Sequence, residues 1–147
     1  SGFANPKMGE WINSTLEADL EEKGAYDATA PFRNGSRLLE AEGGTYLRPT
    51  IVHCDSMEHI LANREFLCPY ASVVEVPQAE MLRSIGPTLV VSAITKDESF
   101  KRQLLGASNV ERLNIGPIST MKISWDQPHE GNMFEFLYKR RSIGMAA

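Results

Sequence analysis

An α/β fold is the class this sequence predicts, and three observations predict it. Past residue 50, short apolar runs of strand character alternate with helical patterns, as parallel strands with helical crossovers require. The run Leu89 to Ile94 is largely apolar, rich in β-branched residues and interrupted only by Ser92, the pattern of a central strand buried on both faces. Glu42-Gly43-Gly44 stands between two short runs, where glycines supply the positive φ of a tight hairpin. The expected architecture is a small, mainly parallel sheet of four strands covered by two or three helices, within one domain spanning residues 1–147.

Taken in order, Met8, Trp11, Ile12, Leu16 and Leu20 recur mostly at steps of three and four, which predicts a helix from Met8 to Lys23 stopped by Gly24. Residues 37–40 and 45–47 form the arms of the hairpin, Pro49 closes it, and Thr50 to Val52 starts a strand. Ser56 to Ala62 reads as a brief helix, Val73 to Val76 as a strand ended by Pro77, and Gln78 to Ile85 as a short amphipathic helix. Thr95 and Glu98 have the spacing of a capping box that opens a helix through Leu105. Val110 to Ile115 is the next strand, 118–129 an irregular loop, and Glu130 to Arg141 a last helix whose Lys139-Arg140-Arg141 run suits a solvated C-terminal end. A four-stranded sheet of this kind leaves two open edges, so it looks like part of something larger.

Composition narrows the functional classes. The 147 residues are 42% hydrophobic and 23% charged, enough apolar material for a core. Fifteen basic residues interspersed with nineteen acidic ones give a net charge of −4 without a long run of either sign, which argues against nucleic acid and anionic membranes as partners. Apolar stretches fall far short of the roughly 20 residues that span a bilayer. The first residues lack the basic start and apolar run of a secretory signal, so a reduced, cytoplasmic setting is expected. The two cysteines, Cys54 and Cys68, are expected as free thiols, and with His53 and His59 they follow no zinc spacing. Cys54 lies between those histidines and before a possible helix, so a small thiol enzyme using Cys54 and His59 is a minor alternative to inert packing.

A run of motifs in fixed order resembles the aldehyde dehydrogenase family. Gly43 to Val52 resembles the family's segment in which a glycine, an aromatic and Pro-Thr precede a strand. Leu61 to Pro69 stands where the family has an acidic pair, an apolar residue and Phe-Gly-Pro, with Glu65 and Pro69 as the matching ends. Ile85 to Asp97 is similar to its Gly-Leu, apolar strand and Thr-Lys-Asp sequence, with Pro87 in place of the leucine. Arg112 to Gly116 matches its last catalytic-domain strand, and Pro128 to Gly131 its Pro-Phe-Gly-Gly loop. Each motif alone is common; their shared order makes the match specific.

The resemblance implies the closing part of the catalytic domain of an NAD(P)-dependent enzyme. There a cysteine thiolate attacks the aldehyde, hydride passes to the nicotinamide, and a glutamate base helps water release the acyl group. The family's nucleophile lies farther upstream of the Glu65 position than the 64 residues that precede it here, so nucleophile, base and dinucleotide domain are expected to be missing. Glu65 matches the glutamate that accepts from the nicotinamide ribose hydroxyls, against the plainer reading of a surface ion pair with Arg64. Leu67 replaces a phenylalanine that packs on the nicotinamide, and Cys68 replaces a glycine, two departures that weaken the site to a remnant. Trp125 and His129 fall in or beside the loop that helps line the aldehyde tunnel, Trp125 being as readily a core anchor. No catalytic residue and no cofactor is expected for this chain alone. It is expected to form a homo-oligomer or to join the remainder of a dehydrogenase, or else to serve as a non-enzymatic interaction module.

Overall fold

A computed structural model describes residues 2–41, 43–122 and 137. The backbone divides into two compact units, one reaching Val76 and one starting at Pro77. The last helix expected from Glu130 lies, with Trp125 and His129, outside the described residues.

The first unit opens with β1 (Gly2–Phe3) and α1 (Pro6–Leu20). Asn5 caps α1 by accepting from the amide of Lys7 at 3.1 Å, and Pro6 occupies the first turn, where its missing N–H has no partner to lose. The buried stripe of α1 is Gly9, Ile12 and Leu16; Met8 and Trp11, expected on that face, are 41% and 58% exposed. Gly9 sets this rotation, because a Cβ there would lie 3.1 Å from Thr45 Cγ2 and 3.3 Å from the Phe3 ring. The helix therefore approaches the hairpin along the side that has no side chain.

That hairpin is β3 (Leu38–Ala41) and β4 (Gly44–Leu47), antiparallel in the register Leu38 opposite Leu47. Gly43 and Gly44 have φ of 99° and 139°, conformations an L side chain rarely adopts, so the glycine signal at the turn holds. A second sheet has the order β2 (Ala25–Asp27), β5 (Thr50–Cys54) and β6 (Tyr70–Val74), antiparallel between the first pair and parallel between the second. Its inner face and α1 enclose Leu16, Val52, Cys54 and Leu61, with Leu20, Ala25, Phe66 and Tyr70 packed around them. Between β5 and β6 the expected helix is instead a single 3-10 turn, Ile60–Asn63.

In the second unit, α2 (Gln78–Ser84) leads to β7 (Thr88–Ala93), and α3 (Glu98–Gly106) to β8 (Val110–Ile115), with β7 and β8 parallel. Asn109 Nδ2 donates to the carbonyls of Leu82 at 3.1 Å and Gly86 at 2.6 Å, tying the end of α2 to the start of β8. The cap of α3 is Asp97, not Thr95: its carboxylate accepts from the amides of Ser99 at 2.8 Å and Phe100 at 3.1 Å, while Thr95 Oγ1 accepts from the amide of Asp97. A carboxylate at a helix N-terminus also meets the positive end of the dipole, which a hydroxyl does not.

The α/β class stands, but a single mainly parallel sheet does not. Among the described residues three small sheets replace it, one antiparallel, one mixed and one a two-stranded parallel pair. Sequence reasoning missed β2, whose three residues Ala25–Asp27 are too few for periodicity to register. Nor is β7 a central strand buried on both faces, since Leu89 is 49% exposed and β8 is its one strand neighbour among the described residues. An apolar run marks a strand that wants covering, whether or not the chain at hand supplies the cover.

Arg37 joins most of these first-unit elements. Buried at the head of β3, it donates from Nε to Thr50 Oγ1 at 3.1 Å, from Nη1 to Asn13 at 3.2 Å and Glu17 at 2.6 Å on α1, and from Nη2 to Asp27 at 2.7 Å on β2. Arg33 pairs with the same carboxylate oxygen of Asp27 and also donates to Thr29 and Thr50. Burial pushes the Asp27 carboxyl up, but hydrogen bonds from Thr29, Arg33 and Arg37 and the charge of Arg33 outweigh it and bring it from 3.8 down to about 2. Because the folded value is the lower one, this contribution is complete above about pH 4 and fades as pH falls toward 2. Arg37→Ala should lower the unfolding free energy by about 3–5 kcal/mol in equilibrium urea denaturation, as losing one partner of a buried ion pair does. A loss below about 1 kcal/mol, the size of an exposed pair, would refute the central role of Arg37.

Candidate functional site

The segment that carries Glu65 and Leu67 runs from Arg64 to Pro69, between the 3-10 turn and β6. Its anchors come first. His59 caps the turn by accepting from the amide of Leu61 at Nδ1, 3.1 Å, and Leu61 is fully buried in the core. Tyr70 Oη donates to the Leu61 carbonyl at 2.8 Å, and Ser72 Oγ to the Ala62 carbonyl at 3.1 Å, so β6 holds the turn from the other side. Burial, with smaller contributions from Cys54 and Asp19, raises the Tyr70 hydroxyl from 10.0 to about 12, so it remains a donor at any physiological pH.

Beyond the turn the chain is extended at Arg64, with φ −83° and ψ 135°, and bends from Leu67, where the Cys68 amide donates to the Phe66 carbonyl at 2.8 Å; exposure alternates residue by residue. Arg64 and Phe66 are half-buried. Glu65 is exposed, and Leu67 is 86% exposed. The inward pair is well held: Phe66 meets the Tyr70 ring edge-on with centroids 5.0 Å apart, the Arg64 guanidinium lies 5.9 Å from the centre of the Phe66 ring, and Arg64 Nη2 donates to Asp19 on α1 at 2.9 Å. Thus the plainer reading of Glu65, an ion pair with its neighbour Arg64, is not what forms. Glu65 has no side-chain hydrogen bond or ion pair among the described residues.

What Glu65 and Leu67 offer is one acceptor-only carboxylate and one apolar side chain, both exposed, where the chain bends ahead of β6. That pairing can accept from a diol and touch an apolar ring edge; it contains no nucleophile and no proton relay. Cys68 is half-buried. Trp125 and His129, the expected substrate-pocket residues, lie outside the described residues.

The thiol reading fails on geometry and charge. Cys54 sits inside β5, is 0% exposed and belongs to the core cluster. Burial, then the charge of Asp55, pushes its thiol up, away from the thiolate that a nucleophile needs. His59 spends Nδ1 on the amide of Leu61. Burial likewise pushes the Cys68 thiol up.

A shallow depression of about 210 Å³ is lined by Pro87, Thr88, Leu89, Ser108, Asn109 and Glu111. It is smaller than the roughly 300–1,000 Å³ of small-molecule sites and lies at the N-terminal ends of β7 and β8, whereas ligands of open α/β sheets gather at the carboxyl ends. No described helix is long and apolar enough to cross a membrane. Sequence reasoning missed Asp19, Asp27, Arg33 and Arg37, whose pairings include Arg37 with Asp27, 10 residues apart, and Arg64 with Asp19, 45 apart, which no local motif spans.

No protein-family model matches the chain, and no curated protein sequence does. Solved structures do match. Lactaldehyde dehydrogenase from Escherichia coli is 16% identical, with a TM-score of 0.65 over 88% of this chain and 26% of that one. The aldehyde dehydrogenase KauB from Pseudomonas aeruginosa is 22% identical, with a TM-score of 0.62 over 78% of this chain and 23% of that one. An indole-3-acetaldehyde dehydrogenase in complex with NAD+ is 19% identical, with a TM-score of 0.60 over 78% and 23%. The described fold is therefore that of a segment of aldehyde dehydrogenases, the resemblance read from the motifs, and the chain spans about a quarter of the length of the structures it matches. Cys54 is expected to resist iodoacetamide in the native chain at pH 7 and to react only on unfolding, as read by mass spectrometry. Rapid native labelling of Cys54 would restore the case for an activated thiol.

Proposed function

We propose that this chain is the closing part of an aldehyde dehydrogenase catalytic domain, with both units belonging to one domain, 1–147, and that the complete enzyme oxidises an aldehyde to an acid with NAD(P). One observation carries the reading: the fold likeness extends over 88% of the chain, and the family's motifs recur in order between residues 43 and 131. Alone, the chain is inactive, because the nucleophilic cysteine, the general base and the dinucleotide domain belong to other parts of the enzyme.

Glu65 and Leu67 fit the cofactor position in part. The exposed, unpartnered carboxylate of Glu65 suits a ribose diol, and Leu67 suits apolar contact without an aromatic face. Two such contacts do not offset the entropy of ordering a dinucleotide, so both are remnant positions in this chain. When NAD(P) is bound in the complete enzyme it supplies the hydride acceptor; Glu65 orients its ribose. Trp125 and His129 are proposed for the aldehyde side, and the setting is proposed to be cytoplasmic. The purified chain should reduce no NAD+ or NADP+ with a panel of aldehydes, followed by absorbance of the reduced nucleotide; reproducible turnover would overturn the proposal.

A second reading, a non-enzymatic oligomerisation module, is favoured by one specific observation. Leu89, Ile94 and Leu105 in the second unit are 49%, 80% and 71% exposed, apolar surface that monomers keep small. Association with another copy, or with the remainder of a dehydrogenase, would cover it. Multi-angle light scattering should find a homodimer or larger species at tens of micromolar, and a stable monomer at high concentration would count against self-association.

A further inference from the structure

The two outward residues of the Arg64 to Pro69 segment depend on one inward contact. Arg64 has two carboxylates within its reach in chemical terms: Glu65, its neighbour in sequence, and Asp19, 45 residues away on α1. The pair that forms is with Asp19, at 2.9 Å, with the Asp19 side chain only 15% exposed. Phe66 then lies between the guanidinium and the Tyr70 ring, and Tyr70 is tied to the Leu61 carbonyl. With Arg64 and Phe66 held inward, Glu65 is the exposed residue between them, and the chain bends at Leu67, where the Cys68 amide donates to the Phe66 carbonyl at 2.8 Å.

We infer that Asp19 is a positioning residue for the face formed by Glu65 and Leu67. The inference rests on the reading of Glu65 as a cofactor contact of the complete enzyme. Asp19 acts in two ways. It anchors Arg64 to α1, which orders the segment, and it occupies the guanidinium, which leaves the Glu65 carboxylate free to accept hydrogen bonds from a ligand's hydroxyls. Without Asp19, Arg64 loses its partner on α1 and Glu65 becomes the nearest carboxylate in sequence. A charge-assisted bond between those neighbours would use up the acceptor and rotate the strand.

Backbone 15N relaxation on the whole chain, without nucleotide, tests this. In the parent protein the amides of residues 65–68 should have order parameters close to the roughly 0.85 of rigid backbone. Asp19→Asn and Arg64→Gln should each lower them below about 0.6, the flexible range, while amides of β5 and the first two turns of α1 keep their values. The exchanged pair Asp19→Arg with Arg64→Asp should restore order, which a general packing role for either side chain would not. Three results would overturn the inference: residues 65–68 staying rigid in both single variants, loosening of β5 and α1 to the same extent, or no recovery in the exchanged pair. Turnover by the chain alone, which overturns the functional reading, leaves these order parameters unaffected, so the two failures are distinguishable.

Discussion

A single buried guanidinium holds the first unit together. Arg37 reaches α1 through Asn13 and Glu17, β2 through Asp27 and β5 through Thr50, and it stands at the start of β3. Burying a charge costs several kcal/mol unless its donors are matched, and here each of its three nitrogens finds an acceptor. The cost is offset only when helix, hairpin and mixed sheet are all in place. Such a group does more to select one arrangement of elements than to add stability, since an apolar residue of similar volume would hold the same elements less selectively.

The Arg64 to Pro69 segment depends on that arrangement at one remove. Its own anchor, Asp19, lies on α1, and α1 is docked on the hairpin by the bare side of Gly9 and tied by Arg37. Core packing at Leu16, Leu61 and Tyr70 places the turn from which the segment leaves. The exposed carboxylate of Glu65 thus follows from contacts made by residues far from it in sequence. Leu67 is exposed, whereas Cys68 is half-buried.

Much of the local structure was legible. Apolar spacing located α1, α2, α3, β5, β7 and β8 to within a few residues, because periodicity of 3.6 or 2 reports directly which face meets the core. Boundaries slipped where two caps competed, as with Thr95 and Asp97, and where a 3-10 turn took the place of a helix at Ile60. Sheet membership was not legible. A parallel strand looks the same whether its neighbours are in the same sheet or absent, so β7 read as central although β8 is its single strand neighbour among the described residues. The motif order pointed to the fold, in part through residues with backbone demands of their own, such as Gly43 and Gly44 at positive φ.

By itself, then, the sequence determined most of the longer helices and strands, where the tight hairpin turns, and which family's fold the chain shares. These follow from interactions within a few residues: periodicity, caps and the φ preferences of glycine and proline. Tertiary structure alone decided that three small sheets form instead of one, that Arg37 and Asp27 are buried together, that Cys54 is core, and that Arg64 turns to Asp19 and leaves Glu65 free. Those outcomes depend on partners 10 to 45 residues apart, and the choice among such partners is made by packing, which no local pattern records.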